Sequence, residues 1–565
     1  MTSLEVLNDY RIKDEQGHKI SELENMSKLR VLLIRDVQNV TNPEEAKMAK
    51  LDSKKHLRRL SLLWSSLYGL ATRRGGGELL EQVLDHLRPH HGLKELLINM
   101  YGGIIAPSWL SNEFLPNLTS VYLGNCNGLQ TLPAFGQLRF LKDLVLDSIE
   151  VLKKIGPEFY GPTGVTSAFP KLKALNFQHM GELEDWYSDA SSGQWFPQLH
   201  SLVITVCPKL RMLPPVPVCL KYLELSFLDE ITSLPEIWWP NEASSVASSP
   251  LLSCLNIVGC SKIYSLANGF LRHPEYLYAL EDITIWNCNN LVHLPVDEFT
   301  KFTGLKKLAI QECMKLVFIP IIPGSLLPPS IEMLTLKSCG GMDMSLHLLL
   351  KSISSISYLK LSKCANITTL PSTDVLSGLC VLSWLVIEDC PELASLGGLS
   401  ALRLLEILEI KRCTKLDSAV AEGHPIEHGV PLVLDRLDID NPSLLLVEPL
   451  RSMVTSKFLE IHCCSEISEL PEQWLLRSRL LVQVLALYDA VSLQHLPENL
   501  SRFSSLQTLV LRKVHQLKML PELPQSLKTL AIYGCSPEFA EKYKEHGGSD
   551  WFRISHVPYV IIDMF

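Results

Sequence analysis

Along most of this chain the apolar residues recur in the order L-x-x-L-x-L-x-x-C. Four successive copies read LEDITIWNC (280–288), LKKLAIQEC (305–313), IEMLTLKSC (331–339) and ISYLKLSKC (356–364), with starts 25, 26 and 25 residues apart. Template positions 4 and 6 are aliphatic while 3, 5 and 7 are mixed. That alternation of period two predicts a short strand with one face buried. A leucine or isoleucine follows three residues after the cysteine, and another three later. A proline often comes next, as in Leu129-x-x-Leu132-Pro133, Leu210-x-x-Leu213-Pro214, Leu291-x-x-Leu294-Pro295 and Leu517-x-x-Leu520-Pro521. Proline lacks the N–H a strand ladder needs, so the return path is predicted to be irregular or briefly helical. Each unit buries several aliphatics, at roughly 1.5–3 kcal/mol apiece, and none can bury its apolar face alone.

A repeat in the range of roughly 20–29 residues with this pattern is the signature of a leucine-rich repeat. The predicted fold class is an α/β repeat: a leucine-rich repeat solenoid (horseshoe) with a parallel concave β-sheet and an irregular or short-helical convex side. Strand starts run from Leu29 to Leu527. The domain reading is 1–92 as irregular N-terminal repeats with a helical insertion, 93–535 as the solenoid, and 536–565 as a C-terminal cap. Glu78–Leu87 reads as an amphipathic helix. Residues 156–168, 237–250 and 417–431 read as loops. At the N-terminus, Leu4-x-x-Leu7 looks like the tail of a repeat with no cap before it.

Length then changes the picture only through this architecture. A single core stops growing near roughly 250–300 residues, whereas stacked coils touch only their neighbours, so 565 residues need not mean several domains. The chain is 47% hydrophobic, 20% charged and carries a net charge of −9. Disorder and nucleic-acid binding by bulk positive charge are excluded. The run Lys54-Lys55-His56-Leu57-Arg58-Arg59 is short and reads as a solvated face. No apolar stretch reaches a bilayer span, and the N-terminus shows no signal-peptide pattern. A soluble protein, cytoplasmic or nucleo-cytoplasmic, is expected.

Fifteen cysteines look like a disulfide framework until they are placed on the repeat. Cys126, Cys207, Cys260, Cys288, Cys313, Cys339, Cys364, Cys390, Cys413, Cys464 and Cys535 all stand at position 9. One thiol per coil reads as a buried structural residue, not as four zinc ligands in one place. The 17 histidines show no ligand spacing. No Walker A loop, dinucleotide fingerprint, H-E-x-x-H, G-x-S-x-G or kinase motif set occurs. The expectation is no enzyme, no cofactor and no metal. Carboxylate pairs such as Asp438/Asp440 read as exposed.

What the strands present instead is an outward face rich in aromatics and mixed charge. Its candidate partner-binding residues are Tyr122, Tyr222, Trp286, Tyr358, Trp384, Glu388, Lys411, Arg412, Tyr488 and Tyr533, with the block Leu280–Cys413 as its expected centre. Phe227 and Phe458 share the outward phase. Aromatics and arginines are the residue types that dominate protein interfaces.

The stretch GHKISELENMSKLRVLLIRDVQNVTNPEEAKMAKLDSKKHLRRLSLLW (17–64) adds a more specific signal. Gly17, Ile20, Glu22, Leu23, Leu29, Arg30, Asn39, Val40, Glu45, Ala46, Ala49, Leu51, Lys54, Leu57, Leu60, Leu62 and Trp64 follow one pattern. With the tail W-F-R-I-S-H-V-P-Y (551–559), it resembles the leucine-rich repeat region of grass-type coiled-coil nucleotide-binding leucine-rich-repeat (NLR) disease resistance proteins. The coiled-coil and NB-ARC domains that precede this region in such receptors are lacking from these residues, so no nucleotide-binding residue carries over. The resemblance implies a protein-recognition scaffold in plant innate immunity. Its partner would be a pathogen effector, a guarded host protein or an NLR nucleotide-binding domain, met through the concave face. Two alternatives are a leucine-rich repeat substrate adaptor of a ubiquitin ligase and a non-functional truncated receptor fragment.

Overall fold

The computed structural model describes residues 3–563 apart from 16, 66–76, 163–166, 188–193, 239–250, 275–276, 295–298, 318–325, 341, 352, 419–432 and 463–469. The chain divides into two compact units, 1–305 and 306–565. Within the first, eleven strands from Val6–Arg11 to Asp282–Trp286 stack as parallel neighbours in chain order. Within the second, eleven more run from Lys307–Gln311 to Tyr559–Asp563 in the same way. Neighbouring strands of each ladder follow one another in chain order, each joined to the next by a return segment, as a repeat whose coils touch only their neighbours requires. This is a leucine-rich repeat fold.

The predicted phase holds along the strands. Leu308 and Ile310, Leu334 and Leu336, Leu359 and Leu361, and Leu385 and Ile387 are buried. Their register partners are like residues, Leu334 against Leu359 and Leu359 against Leu385. Stacked aliphatics of one coil therefore pack on those of the next. Position 8 carries a feature that the apolar pattern does not reveal. Asn125, Ser148, His179, Val206, Phe227, Asn287, Glu312, Ser338, Lys363, Asp389, Arg412, Asp489 and Lys513 all have φ between 50° and 56°. A left-handed residue other than glycine costs roughly 1–2 kcal/mol. It is offset by an added ladder hydrogen bond. The position-8 amide donates to the position-7 carbonyl of the following coil, as from Glu312 to Lys337 at 2.7 Å, Ser338 to Ser362 at 2.9 Å and Asp389 to Lys411 at 2.9 Å.

The position-9 cysteines sit just after that turn, buried. Cys339 Sγ donates to Ile310 O at 3.4 Å and Lys337 O at 3.5 Å, and Cys364 Sγ to Ser362 O at 3.4 Å. A weak donor small enough for this corner closes carbonyls of two coils. Burial pushes the thiols of Cys126, Cys207, Cys260 and Cys339 up to about 12. Cys464 lies outside the described residues.

Three regions differ from the sequence reading. Val6–Arg11 is a complete strand, paired with Val31–Arg35, with Tyr10 and Ile12 buried. Lys54 is not solvated: it is fully buried, and its Nζ donates to Leu23 O at 2.6 Å and Met26 O at 3.2 Å. In a chain where most lysines face water, only the long-range backbone path around Lys54 reveals its role. The turn-rich stretch 156–168 buries Phe159 and Tyr160, and Phe159 packs on Phe169 with ring centroids 4.9 Å apart. Aromatics fill the interior where the coil is long.

The insertion helix forms as Gly77–His86, with Leu80, Val83 and Leu84 inward. It is tied down by Trp109 Nε1, which donates to Leu84 O at 3.0 Å. After the last cysteine comes a short helix, Pro537–Lys542, capped by Ser536, which accepts from the Phe539 amide. Tyr543 is buried, and its hydroxyl accepts from Leu520 N at 2.7 Å. The chain then adds one more strand, Tyr559–Asp563, on Thr529–Tyr533. Of the expected loops at 237–250 and 417–431, residues 239–250 and 419–431 lie outside the described residues, Ile237–Trp238 instead pairs as a short strand with Val216–Pro217, and 417–418 end the helix Thr414–Ser418.

Candidate recognition face

The outward positions 3, 5, 7 and 8 of successive strands place the candidate residues in two groups, one in each unit. In the first unit, Tyr122 is half-buried, and its hydroxyl donates to Asp147 Oδ2 at 3.1 Å. Burial, then the Asp147 charge, pushes this phenol up to about 12. Tyr222 donates to Glu224 Oε2 at 2.6 Å and accepts from Asn256 Nδ2 at 3.0 Å. Trp286 stands at position 7 of its strand and is 43% exposed. The strands of these three residues are separated from one another by others in the ladder, so the structure does not bring them together.

In the second unit the candidates do converge. Tyr358 and Trp384 are register partners, and their rings meet edge to face with centroids 5.0 Å apart. The Trp384 indole N–H donates to Glu409 Oε1 on the next strand, at 3.1 Å. Trp384 nonetheless remains 39% exposed. The ring is therefore fixed from both sides while one part stays open to solvent.

Beside it runs a chain of charge. Glu388 pairs with Lys360 at 3.1 Å and with Arg412. Burial works to raise the Glu388 carboxyl, but Lys360 and Arg412 outweigh it and hold it below the usual carboxylate range. Arg412 also grips Asp389 through two guanidinium nitrogens, and its backbone N–H donates to Asp440. It stands at the left-handed position 8, past the end of its strand, so it edges the face instead of standing in its middle. Lys411 donates to Asp438 Oδ2 at 2.7 Å. Asp438 is 3% exposed, which corrects the reading of the Asp438/Asp440 pair as exposed.

Farther along, Tyr488 stacks on His462 with centroids 4.7 Å apart and planes at 20°. Arg512 lies over both Tyr488, at 5.8 Å, and Tyr533, at 5.2 Å. Cation–π contacts of this kind contribute roughly 0.5–1 kcal/mol at exposed sites. The sequence reading missed Lys360, Glu460, His462 and Arg512, and took Asp438 only as an exposed carboxylate. Their outward phase was visible, but their partners depend on cross-strand register through coils of unequal length.

Against known proteins, residues 20–149 match the family model described as R13L1/DRL21 LRRs. The chain is a leucine-rich repeat protein related to plant disease resistance proteins. RPP13-like protein 1 of Arabidopsis thaliana is 31% identical over 315 residues, which is 50% of this chain and 29% of that protein. Disease resistance protein RGA2 of Solanum bulbocastanum is 27% identical over 41% of this chain and 24% of that protein. The chain thus spans less than a third of the length of these relatives. A leucine-rich repeat protein of Leptospira interrogans aligns over 92% of this chain and 98% of its own at 18% identity, with a TM-score of 0.39. Among the described residues, no helix is long and apolar enough to cross a membrane.

Proposed function

We propose that this chain is a protein-recognition scaffold in plant innate immunity and performs no catalysis. The partner is a pathogen effector, a guarded host protein or an NLR nucleotide-binding domain. The outward strand face carries the contact. In the second unit its centre is Tyr358, Trp384, Glu388, Lys411 and Arg412, extended by Tyr488 and Tyr533. In the first unit, Tyr122, Tyr222 and Trp286 offer further contacts.

One observation carries the reading most directly. Trp384 is held by Tyr358 on one side and Glu409 on the other while part of its ring remains in solvent. An aromatic anchor fixed before binding loses little rotamer freedom on association, and such anchors dominate interface energies. The ion pairs at Glu388, Arg412 and Lys411 order the rim and offer charge complementarity, which selects partners more than it adds affinity. The relationship to disease resistance proteins supports the defence context. Co-purification from infected and healthy plant tissue, with Trp384→Ala as the comparison bait, tests the reading.

A further inference from the structure

The strands Val433–Ile439 and Val454–His462 place Asp438 directly opposite Glu460, with His462 two residues farther along the same face. One ligand atom from each of the three lies within 4.8 Å of the other two. We propose that Asp438, Glu460 and His462 form a binding site for a single divalent transition cation of the zinc type.

Several details favour a built site over a chance cluster of charge. Asp438 is almost wholly buried, and beyond an ion-pair contact with His462 Nε2 at 3.3 Å its Oδ1 makes no hydrogen bond. The other oxygen of each carboxylate is already engaged: Asp438 Oδ2 by Lys411 at 2.7 Å, and Glu460 Oε2 by Arg436 at 3.0 Å. These contacts orient the two carboxylates and leave one oxygen of each for a metal. Stacking on Tyr488 fixes the His462 ring plane. Ligands positioned by surrounding groups are the mark of a competent metal site.

One imidazole nitrogen and two carboxylate oxygens suit zinc, cobalt or manganese, and the nitrogen disfavours magnesium and calcium. His462 and Glu460 keep partial solvent access, so the remaining coordination positions face water. The local formal charge is set by Asp438, Glu460 and Glu409 against Lys411 and Arg436. The two cations oppose the metal and limit its affinity.

The test uses the full chain, freed of metal by a chelator and titrated with zinc chloride by calorimetry, then with cobalt by absorption. The expected result is one zinc per chain and a cobalt spectrum of nitrogen and oxygen donors without a thiolate charge-transfer band. His462→Gln, at a half-exposed position, is expected to weaken zinc at least tenfold while circular dichroism stays unchanged. Glu460→Gln is expected to act in the same direction. Equal zinc affinity in the wild type and His462→Gln would show an adventitious ion only and overturn the site, as would a thiolate band or the absence of binding.

Discussion

The carboxylate of Asp438 accepts a hydrogen bond from Lys411 at 2.7 Å although Asp438 is only 3% exposed. The pair joins two adjacent strands on the outward face. Burial works to raise the Asp438 carboxyl, yet the contacts from His462 and Lys411 outweigh it and hold it below the ordinary carboxylate range.

A stability consequence follows, and its sign is fixed. The folded-state value is depressed, so the unfolded chain binds the proton more readily as pH falls. The contribution is present above the unfolded value near 3.8 and is lost as pH drops through the folded one. Asp438→Asn should therefore destabilise the protein at pH 7 and bring little further loss under acid. Chemical denaturation of both proteins from pH 7 down to pH 3 checks this. Parallel pH curves would remove Asp438 from the account.

Lys54 titrates in the opposite sense. Burial lowers its ammonium from 10.5 to about 8. The unfolded chain then holds more protons between these values, so stability should rise as pH increases from about 8 to about 10.5. The full shift corresponds to roughly 3 kcal/mol at about 1.4 kcal/mol per unit. Lys54→Met should flatten that rise, as read from thermal melts at pH 7.5 and pH 9.5.

The inward and outward phases make different predictions for neighbours in one strand. Leu385→Ala should cost about 2–5 kcal/mol, because the side chain is buried between coils. Trp384→Ala should cost far less, about 1 kcal/mol, chiefly through the lost contact with Tyr358. Urea melts of the two variants compare them, and equal losses would mean that the phase is misassigned.

The position-9 thiols should be slow to react. Cys126, Cys207, Cys260 and Cys339 are buried and pushed up to about 12, whereas Cys380 is exposed. Thiol titration of the native protein should register Cys380 quickly and Cys126, Cys207, Cys260 and Cys339 only after denaturant is added. Rapid modification of Cys339 in the native state, seen by mass spectrometry, would contradict their role as corner donors.

Much of this architecture was legible because each coil repeats one spacing. Leucines such as Leu308 and Leu385, and thiols such as Cys339, fall inward by period alone. The left-handed residues at position 8 were not legible, since Arg412, Phe227 and Ser338 share no side-chain property. What they share is a backbone amide that meets the next coil. Lys54 escaped for a related reason: the carbonyls it reaches lie 31 and 28 residues earlier in the chain. In the candidate face, Tyr358 and Trp384 were visible as outward aromatics. Their contact, and the union of Asp438, Glu460 and His462, required the register across strands.

The proposed recognition face is tested most directly by quantitative mass spectrometry of proteins captured from infected plant tissue. The baits are the wild type, the Tyr358→Ala/Trp384→Ala double variant, and Met212→Ala, an exposed residue on the return side of the first unit. All three should fold, as judged by circular dichroism. The account predicts a partner retained by the wild type and Met212→Ala and lost from the double variant. Retention of every partner by the double variant would contradict it.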